Sequence, residues 1–356
     1  MTTTTRTTAR YAVWIDLASP SHPFFFDALV DGLSGVDVRT TVRRKTETAA
    51  LSADLGFDHR VIGRDFDDPR LRKVGIPLRA AELAVRMPDC GVSLSSRNAM
   101  CILASRARGV PSIHFTDNDI TAYVPDLTAE KLYNRIEATA THNVVPRAFR
   151  VGELYRRGAG VDRVHTYDGY KEDVYVATFE PDPAFLDRLP FSSYLVVRPE
   201  ALTAAYIDPE VESIVPRLLS DAVDRGYNVV YLPRKRGDEG FCDGFPADRV
   251  YVPPTPLNGL DLAWHANCVL TGSGTMAREA ACMGKPAVSF FPAQLLSVDR
   301  ELVGEGRVFH SREPRAILDH IDALDAADRR PDLRRSRRVR AEVAALTERL
   351  VAEVAS

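Results

Sequence analysis

The chain has 356 residues, 45% of them hydrophobic and 27% charged, with a formal net charge of -3. That length makes room for two ordinary domains, and the near-neutral balance supplies no field for nucleic acid or an acidic membrane. No run of about 18 apolar residues occurs, which excludes a transmembrane helix from the expectations.

Residues 1–10, MTTTTRTTAR, lack the apolar centre of a signal peptide and read as a disordered tail. Strands are then predicted over 11–17, 36–42, 58–62, 90–94, 112–115 and 142–145. Helices are predicted between them over 20–33, 47–55, 71–85, 98–108 and 129–140, with Gly75 and Pro77 arguing for a break in the third. This alternation implies a parallel sheet wrapped by helices. The pattern weakens over 169–189, where EPDPAFLDRLP reads as a linker. It restarts with strands over 194–197, 228–232, 249–252, 268–271 and 287–291, and helices over 210–224, 259–265, 275–283 and 298–304. Helices over 314–324 and 333–354 close the chain, the last with an apolar stripe of Val339, Val343, Leu346 and Leu350. The fold class is α/β: two doubly wound, Rossmann-like halves with a cleft expected between them. The five cysteines form no C-x-x-C pair and sit in apolar contexts, which suits reduced thiols in the cytoplasm.

One stretch stands out chemically. The predicted strand 268–271 feeds a turn, Gly272-Ser273-Gly274, and then a helix from about Thr275. The first N–H groups of a helix lack internal partners, so such a turn is a ready anion site. Glu279, one helical turn in, is placed to reach a sugar hydroxyl. The alternative reading is a tight turn whose glycines serve packing.

Several segments together identify the chain as a member of domain-of-unknown-function family 354. They are WIDLASPSHPFFF, DGYKEDVY, FEPDP, VVRPE, TGSGTMAREAA and FPAQLLSVDRELV. The resemblance, to a mostly archaeal family, implies a GT-B-like fold. Residues 11–170 would form the acceptor-side domain, 171–190 a crossover and 191–330 the nucleotide-side domain, with a helix in 331–356 packing back. The stretch 271–286 also resembles the nucleotide loop of UDP-N-acetylglucosamine 2-epimerases, with Gly272, Thr275 and Arg278 standing where that motif has Asp, Gly and Glu. By that resemblance Ser273, Gly274 and Thr275, with the Met276 amide, hold a diphosphate, and Glu279 the ribose hydroxyls.

Further candidates follow from the GT-B resemblance. His22 follows the first strand, with Asp16 and Ser19 before it, where inverting GT-B glycosyltransferases place a catalytic base; helix capping is the alternative. Asp117 or Asp119, in HFTDNDI, would orient that histidine, or else serve as turn and cap residues. Arg198 suits a diphosphate through its fork of donors, and Glu200, Arg234 and Asp299 are additional candidates around it. The junction residues Tyr170, Lys171 and Glu172 read as cleft-shaping or as a hinge.

The expected function is glycosyl transfer from a nucleotide sugar. The alternatives are a nucleotide-sugar 2-epimerase or hydrolase, and a non-catalytic sugar-nucleotide binder. The chain has Ser95-Ser96 where the epimerases carry an HGD acid, and Val197-Arg198 where they carry a His-Arg pair, which counts against epimerisation. No cofactor and no metal are expected, although Asp117-Asn118-Asp119 has a spacing able to hold a divalent ion. The expected partners are a nucleotide sugar and an acceptor, with no nucleic acid. A lipid-linked acceptor would bring peripheral membrane contact, and a homodimer is compatible with the chain.

Overall fold

The computed structural model describes residues 11–44, 46–63, 69–202, 207–234, 236–325 and 330–355, with backbone alone at 46–47, 69–76 and 236. The expected tail, 1–10, lies outside the described residues. The chain divides into unit 1, Met1–Tyr175 with Arg338–Ser356, and unit 2, Val176–Arg337.

Unit 1 carries β1 (Tyr11–Leu17), β2 (Val36–Val42), β3 (His59–Val61), β4 (Val92–Ser96), β5 (Ser112–Phe115), β6 (His142–Pro146) and β7 (Val164–Tyr167). All pair in parallel, in the order β3-β2-β1-β4-β5-β6-β7. Its helices are α1 (His22–Val30), α2 (Thr46–Asp54), α3 (Pro69–Arg86), α4 (Ala99–Ala107), α5 (Thr128–Glu137), α6 (Gly152–Tyr155) and α7 (Lys171–Val176). Strands covered on both faces need near-continuous apolar runs. β1 shows why: every residue from Val13 to Leu17 is buried.

Unit 2 repeats the plan with β8 (Leu195–Arg198), β9 (Val229–Tyr231), β10 (Val250–Tyr251), β11 (Cys268–Thr271), β12 (Ala287–Ser289) and β13 (Phe309–His310). These are also parallel, in the order β10-β9-β8-β11-β12-β13. The helices are α8 (Val215–Asp224), α9 (Gly259–His265), α10 (Gly274–Cys282), α11 (Ser297–Gly304) and α12 (Pro314–Asp322), while α13 (Arg334–Val354) starts in unit 2 and belongs to unit 1 from Arg338 on. In both sheets the strand order reverses once, between β1 and β4 and between β8 and β11. Ligands of doubly wound sheets bind beyond the C-terminal strand ends at such a reversal.

Three local differences from the sequence expectation have clear causes. α3 runs through Gly75 and Pro77 without a break. An interior proline costs a helix about 3 kcal/mol, but the second half of α3 buries Ala80 and Leu83 with Trp14, Met100, Cys101 and Ala104. That packing, with a buried Arg79, holds the helix together. β7 and β13 had no sequence signal, because one is a half-exposed edge strand and the other has two residues. The weak stretch after 169 contains α7, whose six residues are too few to show a helical period.

The apolar stripe of α13 is buried, with Val343 and Leu350 at 0% exposure. Within unit 1 the helix is pinned by Arg340, whose Nε donates to the Ala28 carbonyl at 2.8 Å. A Cβ at Gly169 would lie 2.5 Å from both Val339 methyls, so that glycine lets α13 seat.

Candidate functional site

At the unit 2 reversal, Arg198 ends β8 in register with Thr271, the end of β11. The Gly272 N–H donates to the Arg198 carbonyl at 3.0 Å, so the turn starts directly beside the arginine. The Ser273 N–H is taken by the Thr271 hydroxyl at 2.9 Å. Ser273 is the N-cap of α10, yet its side chain makes no capping bond. Ser273 and Gly274 are half-buried and Thr275 is exposed, which leaves the start of α10 open. Met276 faces the core and offers only its amide. The Arg198 Nε is buried with no hydrogen-bond partner among the described residues. A buried guanidinium N–H without an acceptor is costly, and the backbone of this arginine adjoins the turn into an uncapped helix start with its partial positive charge. Glu279 lies about one turn further along α10, half-buried.

Of the remaining unit 2 candidates, Glu200 and Asp299 have structural partners. Glu200 is buried behind the turn, where it accepts from the Ser213 hydroxyl at 2.7 Å, the Ile214 N–H at 3.2 Å and Arg312 Nη1 at 3.1 Å. Asp299 is gripped at both oxygens by Arg278, at 2.6 and 3.0 Å. That fork explains the arginine at 278: it ties α10 to α11. Arg234 follows β9, and its N–H donates to Asp238 at 3.1 Å. Gly272 answers to packing, since a Cβ there would lie 2.6 Å from the Glu200 Cα and 2.8 Å from its backbone nitrogen. Gly272→Ala must push backbone apart, so a loss of about 1–3 kcal/mol in unfolding free energy is expected. A melting temperature equal to the wild type's would contradict this.

At the unit 1 reversal, Asp16 is completely buried and fully engaged. It accepts from Arg79 Nη1 and Nη2, each at 2.8 Å, and from Thr41 Oγ1 and Asn98 Nδ2, each at 2.7 Å. Burial pushes its pKa up, but the Arg79 charge and these hydrogen bonds outweigh that and hold it below the usual carboxylate range. Ser19 lies in the turn before α1, its carbonyl accepting from the His22 N–H at 3.0 Å.

His22 is buried at the first position of α1. Its Nδ1 accepts from the Ala18 N–H at 3.2 Å. Burial, followed by the charge of Lys171, lowers its pKa to about 3, so the ring is neutral near pH 7. A neutral imidazole with Nδ1 accepting must carry its proton on Nε2. His22 therefore presents a donor rather than a proton acceptor, which revises the expectation of a base at this position. Neither aspartate orients it. Asp119 stands at the N-cap position of the turn at Ile120–Ala122 without a side-chain capping bond, and its carboxylate accepts from the Arg150 N–H at 3.1 Å. Asp117, also buried, lies 4.0 Å from Lys171 Nζ at the start of α7. Among the described residues no group of three His, Cys, Asp or Glu is placed to hold a metal ion.

Sequence reasoning missed Arg79 and Arg97 and read Lys171 as cleft-shaping or hinge. Arg97 follows β4 at the reversal with φ 42°, a left-handed backbone uncommon outside glycine. Its guanidinium is clamped by Glu130 and Glu137 at 2.6 Å and Asn134 at 2.9 Å. Glu137 also faces His114, whose Nδ1 pairs with the Ser95 hydroxyl at 2.8 Å. The signal that was available is position: Ser95, Ser96 and Arg97 stand at the strand end where the sheet order reverses.

Solved structures share this architecture at low identity. A UDP-N-acetylglucosamine 2-epimerase from Rickettsia bellii is 14% identical, with 97% of this chain and 96% of that one covered at a TM-score of 0.69. The UDP-GlcNAc 2-epimerase of Methanocaldococcus jannaschii, solved with UDP-GlcNAc and UDP, is 12% identical over 94% and 99% of the chains at 0.66. The glycotransferase of kitacinnamycin is 14% identical over 97% and 99% at 0.61. These likenesses show the fold, GT-B-like with two Rossmann-like domains. An uncharacterized protein of Methanocaldococcus jannaschii is 22% identical over 321 residues, 87% of this chain and 90% of that protein. With a match over residues 11–351, the chain belongs to the family described as "Protein of unknown function (DUF354)".

Proposed function

We propose that the protein is a GT-B glycosyltransferase that holds the diphosphate of a nucleotide sugar at the β8–β11 edge. The observation that carries this is the buried Arg198 Nε, without a partner among the described residues, on the strand end whose backbone adjoins the turn into the open start of α10. An arginine fork and helix amides together match a diphosphate. Glu279 is then placed for the ribose hydroxyls. In the reaction an acceptor oxygen attacks the anomeric carbon, and the bond from that carbon to the diphosphate oxygen breaks. The electron pair leaves with the diphosphate, where Arg198 and the α10 amides stabilise it. The acceptor proton goes to solvent water, and within unit 1 His22 keeps its Nε2–H as a donor for a bound ligand. This scheme calls on no metal or organic cofactor. The five cysteines are free thiols, which fits a reducing cytoplasm.

His22→Ala is expected to lower turnover about 10²- to 10³-fold, as loss of a single preorganised donor does, with UDP affinity unchanged. His22→Gln keeps an N–H donor and should recover part of the loss. Because the ring titrates at about 3, the wild-type rate should show no inflection from His22 near neutral pH. An inflection between about pH 6 and 7 that His22→Ala removes would restore the base assignment.

The second reading, 2-epimerisation, uses the same nucleotide edge and draws on the 2-epimerase structures of this fold. Turnover in heavy water separates the two: deuterium entering at the sugar C2 would favour epimerisation. Thermal stabilisation by nucleotide sugars without turnover of any of them would favour a binding protein.

A further inference from the structure

A second charged site lies in unit 1, on the turn Ile120–Ala122 that follows Asp119. The turn after β5, helix α5 and helix α6 enclose an open groove of about 660 Å³, lined in part by Thr121, Lys131, Arg135, Glu153, Arg156 and Arg157. That volume falls within the range of small-molecule sites, roughly 300–1,000 Å³. Four of the lining side chains are cationic and one is anionic, a balance of 4 − 1 = +3 in a chain whose net charge is -3.

The one carboxylate is already consumed. Glu153 is buried and accepts from Arg157 Nη1 at 2.7 Å and Thr121 Oγ1 at 3.0 Å, and it also pairs with Arg156. Arg157 is fixed in the wall by two more bonds, to the Glu153 carbonyl at 2.7 Å and the Thr121 hydroxyl at 2.8 Å. Across the groove, Lys131 and Arg135 stand four residues apart on α5, so they share a helix face. Like charges at that spacing repel. The acidic residues of α5 offer no relief, because Glu130 and Glu137 are both turned to Arg97. Arg156 and Arg157 thus share one carboxylate while Lys131 and Arg135 stand exposed, so the concave surface carries an excess of positive charge. Thr121 follows β5 in the chain, and Glu153, Arg156 and Arg157 follow β6.

We infer that this groove binds a phosphate or diphosphate group, presented by Lys131 and Arg135 on one wall and by Arg156 and Arg157 on the other. Arginine forks suit phosphate oxygens, and a compact groove suits a single small anion better than an extended strand. Two sources share this chemistry: a soluble phosphorylated molecule and the headgroup of a lipid. That the phosphate belongs to the sugar acceptor rests on the transferase reading; that the groove binds phosphate does not.

The test uses the full chain with Arg198→Ala, which weakens the other anion site, and inorganic pyrophosphate as the probe in calorimetry. Pyrophosphate is expected to bind and to weaken as salt rises. Lys131→Glu with Arg135→Glu should lower the affinity about tenfold or more. Both side chains are exposed, so the melting temperature and circular dichroism should stay as they were. Sedimentation with phosphatidylcholine vesicles, with and without phosphatidic acid, identifies the source. Binding to the acidic vesicles alone, lost in the double variant, assigns a lipid-borne phosphate and supports the site. If neither probe binds, or the double variant binds both as before, the inference is wrong. Failure of the nucleotide reading would appear separately, as wild-type protein that does not bind UDP.

Discussion

Asp16→Ala is expected to destabilise unit 1 by about 3–5 kcal/mol, the largest stability loss foreseen for a single substitution here. The magnitude comes from what is left behind. Arg79 is 3% exposed and gives both Nη atoms to Asp16 at 2.8 Å. Without the carboxylate, a buried guanidinium keeps its charge and loses its partner. Replacing both residues by apolar ones of similar size, Asp16→Leu with Arg79→Met, should recover much of the loss, since the cost lies in the unpaired charge. The readout is local. Trp14 donates from Nε1 to Thr41 Oγ1 at 2.9 Å, and Thr41 donates on to Asp16 at 2.7 Å. The chain has two tryptophans, so a Trp264→Phe background leaves Trp14 to report urea unfolding. An unchanged midpoint for Asp16→Ala would contradict the account. The same pair fixes a pH dependence. The folded carboxyl is held below its ordinary value of 3.8, so its stabilisation is fully present above that pH. It is lost as pH falls through the lower folded value.

Arg198→Ala is expected to weaken UDP binding about 10- to 100-fold, the range of a lost charge-assisted pair of about 1.5–3 kcal/mol. The substitution should leave stability nearly unchanged or slightly raised, because it removes a buried Nε that has no partner among the described residues. Arg198→Lys should fall between the two, keeping the charge but not the fork. Calorimetry with UDP measures the affinity and thermal denaturation the stability. Affinity unchanged in Arg198→Ala would remove the arginine from the site. A large loss of stability would mean that it serves the fold instead.

The β8–β11 edge, proposed above for the nucleotide, was legible as a structural unit because its parts are contiguous. The strand, small-residue turn and helix of 268–282 appear as one pattern, and the partner Arg198 ends a strand that the alternation also marked. Legibility failed where a side chain meets a distant one. Asp16 and Arg79 are separated by 63 residues, and no local pattern announces that they pair, so Asp16 read as a site residue. Glu200 and Asp299 are alike in this, since their partners Arg312 and Arg278 lie 112 and 21 residues away in the chain. The donor role of His22 follows from one backbone contact, the Ala18 N–H on Nδ1, and tautomers leave no trace in sequence. The groove around Lys131 and Arg135 had no signal either, because its walls come from two helices whose charges look like ordinary solvated faces.

The most direct test of the central claim is a crystal structure of the protein with UDP bound. The diphosphate oxygens should lie at hydrogen-bond distance, about 2.7–3.2 Å, from the amides at the start of α10 and from the Arg198 guanidinium. The ribose should then lie toward Glu279. A nucleotide found elsewhere in the chain, or no nucleotide at millimolar soaking concentration, would contradict the assignment of the β8–β11 edge.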